Sequence, residues 1–135
     1  MIEINNLTKV KIDENSVKKV VKKVLKKENK ENINLSIAFI GPKRIESLNK
    51  KYRGENQVTD ILAFNQELPE LIICPRKIKK NAKKYALPFE KELIRCLIHG
   101  TLHILGYDHE KSEKKAGEMK KKEEYYQRQI LKSYG

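Results

Sequence analysis

Tryptophan is absent from this chain of 135 residues, cysteine occurs only twice, and proline and glycine number four and six. Cys74 and Cys96 form no Cys-x-x-Cys pair of the kind that holds a metal. A chain of this length buries a sizeable core without disulfides or a structural metal. No apolar run approaches the length of a membrane span. The opening, MIEINNLTKV, lacks a basic segment followed by a long apolar one, so no signal peptide is expected. These absences point to one soluble, reduced, cytoplasmic domain over 1–135, with no membrane partner. Acidic residues are also short: 18 Asp and Glu face 30 Lys and Arg, a net charge of +12. Such a surface either gathers polyanions or is a lysine coat with no partner, and charge alone does not choose.

What is present is periodic. MIEINN alternates weakly and reads as a strand. Val17, Val20, Val21, Val24 and Leu25 follow an i, i+3, i+4, i+7, i+8 spacing, which predicts an amphipathic helix. INLSIAFI reads as a strand with Ile33, Leu35, Ile37 and Phe39 on one side. Pro42 opens a second helix with Ile45, Leu48 and Tyr52 as its stripe and Gly54 beyond its end. TDILAFNQ and ELIIC predict two strands joined by a turn at Pro69. A helix is expected from Pro75 to before Pro88, a long one ending at Gly106, and a charged last one with Met119, Tyr126 and Ile130 inward. The expected class is α+β: a small mixed β-sheet of about four strands with about five helices. Strand–helix–strand at the start favours a parallel pair, while the strand order stays open.

All three histidines lie in HGTLHILGYDH, residues 99 to 109. At about 100° per residue, Leu93, Ile94, Leu97, Ile98, Ile104 and Leu105 gather on one side of the long helix. His99 and His103 fall opposite, with Glu92 and Cys96. The two histidines are one turn apart, about 6 Å along the axis, so both can face one ion. Gly106 permits the left-handed turn that ends the helix, and His109 follows within reach. Three neutral imidazoles suit one zinc ion, or nickel as another borderline metal, and leave a coordination position open as catalytic sites do. Cys96 lies too far down the helix to close that site. The zinc-protease pattern H-E-x-x-H-x-x-G-x-x-H shares these histidines and this glycine, but Gly100 stands where its general base would be. A mid-helix glycine costs about 1 kcal/mol against alanine, and its presence suggests close approach of a backbone or a substrate.

HGTLHILGYDHE resembles the H-G-x-L-H-L-x-G-Y-D-H signature of the YbeY family, metal-dependent endoribonucleases that mature ribosomal RNA. LNKKYRGENQVTDILAF is similar to the family's L-N-x-x-Y-R-G … T-D-V-L-S-F, and Met119 to a methionine after its last histidine. The resemblance implies a zinc-dependent, single-strand-specific endoribonuclease acting near the 3′ end of small-subunit ribosomal RNA and in ribosome quality control. Ribosomal proteins or a ribosome-assembly GTPase are its implied partners. It implies His99, His103 and His109 as metal ligands and Arg53 as the basic residue facing the metal, where the bare sequence reads as a solvated arginine. The segment 65–74, with Pro69 and Glu70 in place of Gly and Asp, departs from the family pattern. Asp108 suits either a partner for a ligand imidazole or a turn, and Asp60 a local cap. No general base is assignable. The alternatives are a non-catalytic, metal-stabilised ribosome-assembly factor and a small-molecule or peptide hydrolase, the latter disfavoured by Gly100 and the charge.

Overall fold

The computed structural model describes residues 1–108, 110 and 112–132. Among them the order is β1 (Ile2–Asn6), α1 (Glu14–Lys27), β2 (Leu35–Phe39), α2 (Pro42–Arg53), β3 (Ile61–Phe64), β4 (Glu70–Ile73), α3 (Pro75–Lys84), α4 (Phe89–Ile104) and α5 (Glu113–Leu131). This is the expected α+β class, four strands in one mixed sheet with five helices. No helix among the described residues is long and apolar enough to cross a membrane.

Local chemistry explains the boundaries. Asp13 caps α1 by accepting a hydrogen bond from the Ser16 amide at 3.1 Å, and Ser112 caps α5 through the Lys115 amide at 3.1 Å. Pro42 and Pro75 open α2 and α3, where a missing N–H costs nothing. Gly54 and Gly106, with φ of 71° and 97°, take the left-handed conformation that turns the chain after α2 and α4.

The sheet runs β1-β2-β4-β3. β1 and β2 pair in parallel, Ile2 beside Leu35 and Asn6 beside Phe39. β4 enters beside β2, also parallel, and β3 folds back antiparallel on β4 as an edge strand. Because side chains alternate across a strand, the sheet has two apolar faces. Leu35, Ile37 and Phe39 of β2, with Leu71 and Ile73 of β4, join the main core with α1, α4 and α5. Leu62 and Ile72 point the other way and meet Ile45 of α2.

Three expectations need correction. Tyr52 does not belong to the inner stripe of α2: it is 57% exposed, and Ile45 and Asn49 are the buried positions. The apolar patch under α2 is small, and Tyr52 meets it only at its margin, through Phe64 of β3. Helix α4 is buried more widely than one stripe, with Glu92, Cys96 and Gly100 also enclosed. A Cβ on Gly100 would lie 2.6 Å from Ile61 Cδ1 and 2.9 Å from Leu71 Cδ2. The close approach therefore comes from side chains of the sheet and not from another backbone. His99 and His103 stay outside the buried set of α4, on the side away from Leu93 and Leu97 as expected.

The turn after α4 is tied to α1 by a carboxylate. Glu28 Oε1 accepts from Tyr107 Oη at 2.7 Å, while Oε2 accepts from Tyr126 Oη and from Lys122 Nζ at 3.0 Å. Glu28 is the C-cap of α1, where the helix dipole disfavours a negative charge. Burial is the largest single influence and raises its pKa, but the three donors together outweigh it and hold the carboxyl below 4.5. A depressed folded-state pKa stabilises above 4.5, and that contribution fades as pH falls through the lowered value. Replacing Glu28 with Gln should cost about 1–3 kcal/mol at neutral pH and flatten the acid limb of stability. Urea unfolding between neutral pH and acid checks this, and parallel curves for variant and parent would contradict it.

Candidate active site

The end of α2, the inner side of α4, the edge strand β3 and the turn after α4 enclose a cleft of about 660 Å³. Each wall places its residues for a local reason. The Gly54 amide donates to Lys50 O at 3.0 Å, and buried Asn49 donates from Nδ2 to Gln57 O at 3.0 Å. These bonds fold the loop after α2 back toward β3, which leaves Tyr52 and Arg53 lining the cleft. Arg53 Nη2 lies 3.7 Å from Glu110 Oε1, and both side chains are largely exposed. That pair is long for a hydrogen bond and solvated, so it holds Arg53 weakly.

His99 and His103 line the same cleft. Their ring centroids are 4.6 Å apart with planes at 77°, edge against face. The Nδ1 of His99 lies 3.3 Å from Glu123 Oε1 of α5. A carboxylate only accepts, so this contact favours the proton on Nδ1 and puts the ring's acceptor lone pair on Nε2. Two imidazoles on successive turns, one backed by a carboxylate, make a donor set suited to a borderline divalent metal. The structure thus brings Arg53, His99 and His103 to one cleft. His109 lies outside the described residues. Asp108 Oδ1 accepts from the Glu110 amide at 2.8 Å, the turn arrangement that was one of its two expected roles.

Further groups in the cleft were not among the expected site residues. Asp60, Glu92 and Cys96 bring ligand atoms within 4.8 Å of one another, a group of metal-binding chemistry. Cys96 donates from Sγ to Asp60 Oδ2 at 3.5 Å, and burial, reinforced by the nearby carboxylates, pushes its thiol far up and keeps it protonated. Asp60 also caps β3 as expected, accepting from the Ile61 amide at 2.8 Å. Glu92 is 6% exposed and accepts from Arg95 Nη1 at 3.3 Å. Burial raises the Glu92 pKa and Asp60 adds to it, against the lowering by Arg95. Glu92 shares a helix side with His99, a signal present in the sequence, whereas nothing local points to Glu123. No residue of segment 65–74 lines this cleft, Glu70 included; the segment supports the wall from behind, where β4 pairs with β3.

The family model described as Endoribonuclease YbeY matches residues 3–134. The chain belongs to the YbeY family. A relative from Thermodesulfovibrio yellowstonii, named Endoribonuclease YbeY, is 46% identical over 99 residues, covering 67% of this chain and 62% of its own length. One of the same name from Petrotoga mobilis is 38% identical over 135 residues, covering 96% of this chain and 94% of that protein. A solution structure of a Thermotoga maritima protein superposes with a TM-score of 0.72 at 30% identity, covering 99% of this chain and 91% of that one. As the first relative shows, this YbeY chain aligns with less than two thirds of some family members.

Glu92 gives the YbeY cleft a testable cost. A carboxyl whose folded-state pKa is raised stabilises at low pH and loses that contribution as pH rises past 4.5. Glu92→Gln should therefore unfold at a higher temperature than the parent at pH 7, with the gap closing toward pH 4. A thermal midpoint unchanged or lower at pH 7 would mean that the Arg95 pairing outweighs the burial.

Proposed function

We propose that this chain is a metal-dependent endoribonuclease that cuts single-stranded RNA in the cleft between α2 and α4, with zinc as its resident ion. One observation carries the reading: Arg53 and the imidazoles of His99 and His103, from separate helices, line one cleft. Family membership and a net charge of +12 support an RNA substrate.

His99, His103 and His109 would hold the ion. Bound there, it supplies Lewis acidity toward a phosphate and brings the pKa of water toward neutrality. Other side chains orient and bind. Glu123 accepts the Nδ1–H bond of His99 and so sets the tautomer and angle of that ring. Arg53 exchanges its weak contact with Glu110 for the non-bridging oxygens of a phosphate, a bidentate match that strengthens as charge builds on them. Arg95, steadied by buried Glu92, offers a second guanidinium along the same wall.

The finer reading is maturation of the 3′ end of small-subunit ribosomal RNA and ribosome quality control. Ribosomal proteins or a ribosome-assembly GTPase would be partners, and the cytoplasm the compartment. These follow from what the family resemblance implies.

Elemental analysis and a cleavage assay on single-stranded RNA test the reading together. His103→Ala should lose stoichiometric metal and activity. Arg53→Ala should keep its metal and lose about 10²-fold or more in kcat. RNA binding should weaken steeply between about 50 and about 200 mM salt. One equivalent of metal retained by His103→Ala would overturn the ligand assignment. Metal-loaded parent that leaves RNA intact would favour the assembly-factor alternative.

A further inference from the structure

We infer that Tyr52 is a base-stacking subsite: its exposed ring in the cleft takes one unpaired nucleobase of the RNA strand whose phosphate Arg53 binds. This rests on the endoribonuclease reading and adds the means by which a single strand would be distinguished from a duplex.

Tyr52 is a large aromatic left 57% exposed, on the last turn of α2 immediately before Arg53, and it lines the cleft. Its ring meets Phe64 of β3 edge to face, with centroids 5.2 Å apart and planes at 74°. Phe64 packs against the apolar cluster beneath α2, so Tyr52 is braced from the sheet side while most of it remains accessible. Lys51 Nζ lies over the ring, 5.2 Å from its centroid, a cation–π contact on a flexible exposed stem that a stacking base would displace, leaving the ammonium near the strand. A braced, accessible aromatic ring next to cationic groups is the arrangement by which proteins hold single strands. The ring takes the face of any base, and the cations follow the backbone. A paired base presents no free face to such a ring, since its faces are covered by its neighbours in the stack. Tyr52 and Arg53 are adjacent on the chain, as a base and its own phosphate are adjacent on the strand.

The competing role is structural: Tyr52 shields Phe64 and no more. The absence of tryptophan makes the two separable, because Tyr52→Trp introduces the sole indole of the protein. Full-length, metal-loaded protein would be titrated with a single-stranded oligoadenylate of about ten nucleotides and with an abasic ribose-phosphate oligomer of equal length. The oligoadenylate should quench the indole emission of Tyr52→Trp, and the abasic oligomer should not. Tyr52→Leu, which still covers Phe64, should bind oligoadenylate about five-fold or more weakly. It should bind the abasic oligomer like the parent, and Tyr52→Phe should restore affinity. In cleavage, Tyr52→Leu should raise KM and move kcat little. Equal quenching by both oligomers, or parental affinity of Tyr52→Leu for oligoadenylate, would overturn the subsite. So would a Tyr52→Leu protein whose only change is a lower unfolding temperature. If RNA is cut and Tyr52→Leu matches the parent, the subsite falls and the endoribonuclease reading stands. If base-dependent quenching occurs and no RNA is cut, the subsite stands and that reading falls.

Discussion

The site depends on the enclosure of α4. Ten of its sixteen residues are buried, among sheet and helices on nearly every side. Its buried polar groups have partners: Thr101 Oγ1 donates to Leu97 O at 2.7 Å, and Glu92 accepts from Arg95. Gly100 lets Ile61 and Leu71 seat against the helix where any Cβ would collide. Each buried Leu or Ile contributes about 1.5–3 kcal/mol over its exposed form, so a turn of α4 about its axis would cost several such terms. It would also drive two imidazoles into apolar contact, which is costly without partners. The rotation of α4 is thereby set, and with it the direction of His99 and His103. The histidines need no strain to face the cleft, since every other rotation of the helix is worse.

The rest of the cleft is arranged around that helix by longer reach. α5 brings Glu123 behind His99 and, through Tyr126 and Lys122, grips Glu28 at the end of α1. Glu28 also holds Tyr107, which immediately precedes Asp108. One partly buried carboxylate therefore ties together the end of α1, the turn after α4 and α5. A negative charge at a helix C-terminus is poorly placed by itself and becomes favourable only with its three donors around it. On the facing side, the apolar patch under α2 is small, and its last turn carries Tyr52, resting on Phe64, and Arg53 to the cleft.

Much of this was legible in advance. The five valine and leucine positions of α1, the proline starts of α2 and α3, and the inward Met119, Tyr126 and Ile130 of α5 all stand as their spacing predicts. Local spacing suffices there because each helix buries one stripe. It fails for α4, where neighbours on several sides make a one-stripe reading too narrow. It fails also for Tyr52, whose spacing matches Ile45 but whose ring meets only the edge strand, through Phe64, and stays largely exposed. Strand order was illegible because no local feature says that β4 inserts between β2 and β3.

What the sequence determined by itself is the local chemistry: two imidazoles one turn apart, a glycine that ends their helix, and an arginine just before another helix-ending glycine. These follow from backbone geometry over a few residues, which holds in any tertiary setting. Only the tertiary structure decided that the arginine and the imidazoles line one cleft, that Glu123 stands behind His99, and that Glu92 and Cys96 are enclosed beside Asp60. Those relations join residues far apart in the chain. They are set by which apolar faces meet when the sheet and helices close on one core, and a one-dimensional pattern does not carry that pairing.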